Sequence, residues 1–165
     1  MQWSQLKKRV EDNLADSLKG RVEFFSTAYR KPNSTTGRGW ITIDKKEVIN
    51  LASIQSAKIY GLYYNETTPD TKKRYAVHKK VEPRARSGDK LVEEGEFSRF
   101  DLHICMFESL NMTPSQMLKT DSPLLHVLGI IDRRTGKRAL NSLIKNQELD
   151  KLPKFFLDFR MASES

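Results

Sequence analysis

The sequence has few of the reactive residues and motifs that most enzymes use for catalysis. One cysteine, Cys105, occurs in 165 residues, so no internal disulfide can form, and its apolar neighbours predict a buried, reduced thiol. The three histidines lie far apart, and no cysteine or histidine pair has the spacing of a metal site. The G-x-S-x-G turn of serine hydrolases is also absent. The sequence therefore predicts no catalytic residue, no metal ligand and no cofactor.

Long apolar runs are missing too. The longest, Leu124 to Ile131, is interrupted by His126 and is far too short to cross a bilayer. The first residues lead directly into the charged stretch LKKRVED, without the apolar region of a signal peptide. We therefore expect a single domain over residues 1–165, located in the cytoplasm and without a membrane partner.

Positive charge is in excess, and it is unevenly distributed. The net charge is +8 and the pI is about 9.6. Residues 1–64 carry 11 cations and 6 anions, residues 65–90 carry 8 and 4, and residues 91–165 carry 10 and 11. An excess of this size favours an anionic partner through long-range attraction that weakens with salt. The alternative is that the excess positive charge only keeps the protein in solution and binds no partner.

The first half of the chain predicts a helix followed by an antiparallel meander. Apolar residues recur every three or four positions from Trp3 to Leu14, which is typical of an amphipathic helix. Residues 21–29, 39–44 and 47–52 read as strands separated by turn-forming residues. Residues 53–64 fit either a helix or a further strand, so the sheet has three or four strands.

The second half predicts helices. Phe97, Phe100, Ile104 and Phe107 form one apolar stripe, and two start signals, TPSQ and DSP, each place a proline at a first helical position. The helix of residues 124–132 is apolar nearly all round and should be the most buried, with Gly136 at its end. The fold class is therefore α+β, with a helical C-terminal half packed on the sheet. The helix of residues 124–132 is expected to pack against the sheet and against the helix of residues 97–112.

Two basic segments are candidates for binding an anion. Residues 132–140, DRRTGKRAL, combine four cations with a helix start, whose free N–H groups favour an anion. The segment is no phosphate loop, because Ile131 and Arg138 stand where that motif needs glycine and Ser or Thr. The alternative is that acids between Glu93 and Glu108 neutralise these cations.

The second basic segment lies in residues 65–90, which predict an exposed loop. Its cations surround Tyr75 and His78, a combination that can hold phosphates and stack a base. A plain solvated loop is the alternative. The candidate anion-binding residues of both segments are Arg133, Arg134, Lys137, Arg138, Lys72, Lys73, Arg74, Lys79 and Lys80.

One enzyme hypothesis remains, although the sequence lacks the nucleophile and metal-site motifs considered above. Asp44-Lys45-Lys46 follows an apolar strand, with Glu11 and Glu23 upstream, which is similar to the acid-x-Lys arrangement of Mg²⁺-dependent PD-(D/E)xK nucleases. The alternative is a hairpin turn that directs these groups to solvent. The favoured function is non-catalytic binding of an anionic partner, most plausibly nucleic acid, and the rival is an inhibitor- or immunity-like module that binds an acidic protein.

Four stretches carry a family resemblance: SLKGRVEF (17–24), GRGWITIDKKEV (37–48), DSPLL (121–125) and IDRRTGKR (131–138). They resemble a family of small uncharacterised bacterial cytoplasmic proteins with a G-R-x-W-I-T hairpin and a C-terminal D-R-R-x-G-K-R segment. The resemblance covers both ends of the chain but not residues 65–90. It implies a bacterial cytoplasmic single domain, and it gives no activity and no role to any residue.

Overall fold

The computed structural model describes residues 1–28, 37–52, 90–93, 96–145 and 149–165. Within them the chain has the expected α+β fold: an N-terminal helix, a three-stranded antiparallel sheet and a helical C-terminal half. Two predictions fall outside the described residues. They are the choice between helix and strand for residues 53–64, and the loop of residues 65–90 with Lys72, Lys73, Arg74, Lys79 and Lys80.

The chain begins with α1 (Trp3–Asp12), followed by a short 3-10 helix (Asp16–Leu18). Leu6 and Val10 are buried on one face of α1, as their spacing predicts. Gly20 has a positive φ of 73°, a conformation that glycine adopts without strain. The chain turns there from helix into sheet.

The sheet contains β1 (Val22–Ala28), β2 (Gly37–Ile43) and β3 (Lys46–Ala52), in that order and antiparallel. Its inner face is apolar: Phe24 lies opposite Ile41, Ile41 lies opposite Ile49, and all three are buried. The alternation predicted from the sequence is confirmed on these three strands.

The turn between β2 and β3 consists of Asp44 and Lys45. Both have positive φ, 48° and 66°, as a two-residue type I′ hairpin requires. This turn matches the right-handed twist of the strands that it joins. Asp44 and Lys46 therefore lie at the end of the sheet, as the structural alternative to the nuclease hypothesis expects.

The helical half contains α2 (Arg99–Ser109), α3 (Pro114–Leu118), α4 (Pro123–Ile131), α5 (Lys137–Ile144) and α6 (Lys151–Glu164). Both predicted start signals are confirmed. Thr113 caps α3 in a capping box with Gln116, and Ser122 caps α4 by accepting a hydrogen bond from the Leu125 N–H. Among the described residues, no helix is long and apolar enough to span a membrane.

The position of α4 differs in one respect from the prediction. Eight of its nine residues are buried, with His126 the exception, so it is as buried as expected. However, α4 packs against α2, α3 and α6, and α2 is the helix of this half that packs on β2 and β3. Two glycines permit these close contacts: a Cβ at Gly39 would lie 2.9 Å from Leu102 of α2, and one at Gly129 would lie 3.1 Å from Met117 of α3.

The buried face of α2 was predicted wrongly. The face that enters the core consists of Leu102, Cys105, Met106 and Ser109, whereas Phe100 and Ile104 are only half-buried and Phe107 is 48% exposed. Both faces of this helix are apolar, so the helical period alone allows two solutions. Burial raises the pKa of the Cys105 thiol to about 12, which confirms the buried thiol.

The outer face of the sheet carries a row of stacked side chains. Lys7 lies 4.3 Å from the centre of the Phe25 ring, and Phe25 stacks on Trp40 at 5.2 Å. The Arg38 guanidinium lies 4.1 Å from the Trp40 ring and pairs with Glu47 at 2.8 Å. The Trp40 ring therefore contacts both Phe25 and Arg38, and the Phe25 ring contacts both Trp40 and Lys7.

His103 joins α2 to α1 and β1. Its ring stacks on Trp3 at 4.6 Å, and its Nε2 lies 2.7 Å from the Ser26 hydroxyl oxygen. Burial, with a smaller effect of the nearby Arg99 charge, lowers the pKa of His103 to about 4. The His103 side chain is therefore neutral in the folded protein down to a lower pH than in the unfolded chain, where it becomes protonated near its ordinary pKa of 6.5.

We predict that His103 makes stability depend on pH. Because its folded pKa is depressed, its contribution is complete above pH 6.5 and is lost as the pH falls toward 4. The loss should be about 1–2 kcal/mol, allowing for the partial exposure of the ring. His103→Phe keeps a ring on Trp3 without a titrating group. Urea unfolding of both proteins between pH 7 and pH 4.5 should show a smaller loss in the variant, and equal losses would contradict the prediction.

Candidate anion-binding turn between helices 4 and 5

Residues 132–136 form a separate turn between α4 and α5, and we call residues 132–138, which include the first two residues of α5, the basic turn. Gly136 was expected to end the helix before it, but α4 ends at Ile131 and Gly136 is the N-cap of α5. Asp132 leaves the helix in an extended conformation (φ −69°, ψ 130°). The turn is longer than predicted because side chains and main-chain groups from three other parts of the fold hold it.

Main-chain hydrogen bonds attach the basic turn to the segment after α1. The Arg133 N–H donates to the Asn13 carbonyl at 2.8 Å, and the Ala15 N–H donates to the Ile131 carbonyl at 2.9 Å. These two bonds form a short antiparallel bridge. The backbone of Arg133 is therefore fixed, although its side chain is exposed.

Arg160 of α6 binds the basic turn from the inside. Its side chain is 3% exposed, and its guanidinium donates to the carbonyls of Ile130, Asp132 (2.8 Å) and Thr135 (2.8 Å). Its Nε pairs with Glu164 at 2.8 Å, which balances the buried charge. The last carbonyls of a helix have no partners within the helix, and Arg160 supplies donors to this end of α4. Nothing in the sequence analysis identified this residue.

Arg134 pairs with Asp132 inside the basic turn. Its Nη2 lies 2.6 Å from Asp132 Oδ2, its Nε donates to the same carboxylate at 3.0 Å, and its Nη2 also donates to the Met112 carbonyl at 3.2 Å. The hydrogen bond to Asp132 raises the pKa of Arg134 above its usual range. The Asp132 side chain is only 6% exposed, so it keeps this counterion. Arg134 was predicted to hold a phosphate, but its charge is used within the turn.

The other three cations of the basic turn point away from such partners. Arg133, Lys137 and Arg138 are exposed and form no ion pair within the part of the chain that the structure describes. The Arg133 charge contributes slightly to the lowered pKa of Asp16, but Asp16 pairs with Lys19 at 2.6 Å. Among the described residues, the predicted neutralisation by acids of residues 93–108 is not seen for these three side chains. They place three cations without an ion pair to a described carboxylate on one turn.

The start of α5 increases the positive potential there. Gly136 provides no side-chain cap, and no acidic residue occupies the first turn. Lys137 and Arg138 occupy that turn instead, at the positive end of the helix dipole, where cations are unfavourable. A Cβ at Gly136 would meet no atom within 4 Å, and its φ of −78° suits any residue. Neither backbone strain nor packing therefore requires glycine here.

Two of the three carboxylates of the nuclease hypothesis, those of Asp44 and Glu11, have structural partners. Asp44 accepts two hydrogen bonds of 2.8 Å from Arg21, and this bonding holds the pKa of Asp44 below its ordinary value. Glu11 accepts a hydrogen bond from the Phe24 N–H at 3.1 Å and pairs with Lys7 at 3.5 Å. The described residues contain no group of three or more His, Cys, Asp or Glu that could hold a metal ion.

Ser26 and His103 have the separation of a nucleophile and its base. A working base needs a pKa near the reaction pH, and the pKa of about 4 for His103 makes it a weak one. Within the described residues no carboxylate bonds to the other ring nitrogen to orient it. The pair serves packing between α2 and β1, which leaves the basic turn as the candidate site.

A comparison with protein families gives a match over most of the chain. The SF0329 family model matches residues 2–161, nearly the whole chain and all of the basic turn. The chain belongs to the SF0329 protein family. This confirms the expected membership of an uncharacterised family. No curated protein and no solved structure matches the chain.

We predict that the basic turn depends on the forked donors of Arg160 and not merely on its charge. Arg160→Lys keeps the charge but cannot donate to three carbonyls, so the free energy of unfolding should fall by about 2–4 kcal/mol. The matched change Arg133→Lys, on the exposed side, should alter it by less than about 0.5 kcal/mol. Urea unfolding at neutral pH measures both, and equal stabilities would show that Arg160 does not hold the turn.

Proposed function

We propose that this protein is a non-catalytic binding protein for an anionic partner, and that the partner is nucleic acid bound through its phosphates. The observation that carries the proposal is the set of three exposed cations, Arg133, Lys137 and Arg138, without ion pairs among the described residues. Arg134 is not part of the proposed site, because Asp132 already occupies its guanidinium.

Phosphate suits this site better than a carboxylate partner. The start of α5 adds main-chain N–H groups and a positive dipole end to the three cations, which is the arrangement that binds phosphate oxygens. Arginine offers forked donors that match a phosphate, and two of the three cations are arginine. The net charge of +8 attracts a polyanion from a distance.

Among the described residues, the contacts should be mainly with the backbone. Base stacking needs an open aromatic face, and the Phe25 and Trp40 rings already contact each other, Lys7 and Arg38. Tyr75, the aromatic residue predicted to stack a base, lies outside the described residues. Binding should therefore be largely independent of sequence. The cations of residues 72–80 lie outside the described residues, and their contribution remains a prediction from the sequence.

Neutralising the three cations should weaken binding and make it less dependent on salt. Each phosphate contact contributes roughly 0.9 to the slope of log K against log salt on a DNA duplex. The variant Arg133→Gln, Lys137→Gln, Arg138→Gln should therefore lower the slope by about 2–3. Fluorescence anisotropy with a mixed-sequence DNA duplex, over a series of salt concentrations, gives the slopes.

A charge-matched control separates a local site from general attraction. Lys46→Gln, Lys119→Gln, Lys145→Gln removes the same number of charges from exposed positions outside the basic turn, and it should leave most of the slope unchanged. Equal effects of the two triple variants would reject the basic turn as the site. No binding of any duplex by the wild type at low salt would reject nucleic acid and leave the acidic protein as the partner to seek.

A cap at Gly136 should improve stability and impair binding. Gly136→Asp supplies an acceptor for the first N–H groups of α5 and a negative charge that suits its dipole. The free energy of unfolding should therefore rise by about 0.3–1 kcal/mol. The new carboxylate occupies the donors proposed for phosphate. Gly136→Asn caps the helix without the charge, so its affinity for the duplex should lie between those of Gly136→Asp and the wild type. A stabilised Gly136→Asp with unchanged affinity would show that the start of α5 takes no part in binding.

A further inference from the structure

Arg9 is the one cation of residues 3–19 that has no acidic partner among the described residues. This stretch carries four cations and three acids. Each of its three lysines pairs with one acid, in the pairs Lys7–Glu11 (3.5 Å), Lys8–Asp12 (2.7 Å) and Lys19–Asp16 (2.6 Å). Lys7 and Lys8 each have an acid four positions later on α1, whereas Arg9 has Asn13 there. The exposed Arg9 therefore carries the excess positive charge of this stretch.

Asn13 joins the Arg9 side of α1 to the basic turn. Its carbonyl accepts a hydrogen bond from the Arg133 N–H at 2.8 Å, and the antiparallel bridge pairs the next residue, Leu14, with Asp132. Arg9 lies about 6 Å before Asn13 along α1. Residues that lie opposite each other in such a bridge, as Asn13 and Arg133 do, are about 5.5 Å apart. The Cα atoms of Arg9 and Arg133 are therefore separated by roughly 12 Å at most.

We propose that the anion-binding surface continues from the basic turn onto α1 through Arg9. The partner is then a nucleic acid that presents several phosphates in a row, contacted by α1 and α5 on either side of the bridge, and not a mononucleotide or a free phosphate. This inference rests on the proposed function, because it assigns a further contact residue and a minimum size to the partner of the same site.

The separation of the cations favours such an extended partner. Side chains of a helix lean toward its N-terminus, which places the Arg9 charge farther from the basic turn than its Cα. One phosphate does not span this separation, whereas the phosphates of a DNA strand follow each other every ~3.4 Å along the axis. The structural alternative is that Arg9, in the last turn of α1, only suits the helix dipole. That role affects stability and gives Arg9 no contact with a partner, so binding measurements distinguish the two explanations.

Arg9→Gln tests the inference, with Lys119→Gln as the control that removes the same charge from an exposed position after α3. Fluorescence anisotropy with the mixed-sequence duplex gives the slope of log K against log salt for each protein. The slope should be lower by about 0.9 in Arg9→Gln, the contribution of one phosphate contact, and little changed in Lys119→Gln. Urea unfolding checks that both variants are folded. An Arg9→Gln slope equal to that of the wild type or of the control overturns the inference.

The size of the partner is tested by two probes on the wild type. In proton–nitrogen NMR spectra the duplex should shift the Arg9 Nε–H signal, whereas inorganic phosphate at matched ionic strength should leave it in place. A shift caused by phosphate alone, or no shift with the duplex, overturns the inference.

The triple glutamine variant of Arg133, Lys137 and Arg138 separates failure of this inference from failure of the proposed function. If that variant loses slope and Arg9→Gln does not, the basic turn is the whole site, and the inference fails while the proposed function stands. If the wild type binds no duplex at low salt, the proposed function fails and the inference fails with it.

Discussion

The buried guanidinium of Arg160 determines the conformation of the basic turn. A carbonyl that is buried without a donor costs roughly 1–3 kcal/mol, and this one side chain satisfies three of them. The buried charge is tolerable because Glu164 and the carbonyl dipoles surround it. As a result, α6 fixes the end of α4 and the start of α5 together. The exposed cations are held on a rigid base, which would lower the entropy lost on binding if an anion is the partner, as proposed.

A single carboxylate divides the four cations of the basic turn into two groups. Asp132 is almost fully buried and needs a counterion, and Arg134 is the arginine within reach of it. Arg133 stands one position earlier and points to solvent, because its backbone is bonded to Asn13 on the other side of the turn. Net charge alone therefore overstates the charge that a partner meets. Which cations are free depends on the fold and not on their number in the sequence.

The sequence predicted those features that depend on neighbouring residues. The strands follow from alternation, the β2–β3 turn from Asp44 and Lys45, and the starts of α3 and α4 from a capping residue followed by proline. The three carbonyl groups that Arg160 binds could not be predicted in this way, because they lie 25 to 30 positions away in the sequence. The one available signal was an arginine inside an otherwise apolar C-terminal segment, where a cation needs a buried partner. The buried face of α2 was ambiguous for a different reason, since both of its faces are apolar.

The start of α5 differs from the starts of the three helices before it. α2, α3 and α4 each begin with a side-chain cap, whereas α5 begins with an uncapped glycine followed by two cations at the positive end of its dipole. The helices α1 and α6 also begin without a side-chain cap. Gly136 is under no steric constraint, so a better cap would fit there. Local choices in a foldable sequence normally agree with the global structure, and departures concentrate at functional sites. An anion at this position would satisfy the open N–H groups and offset the repulsion between Lys137, Arg138 and the dipole at once. Under the proposed function, the unfavourable helix start and the three cations without ion pairs among the described residues would have one explanation, a surface that stays open for a negatively charged partner.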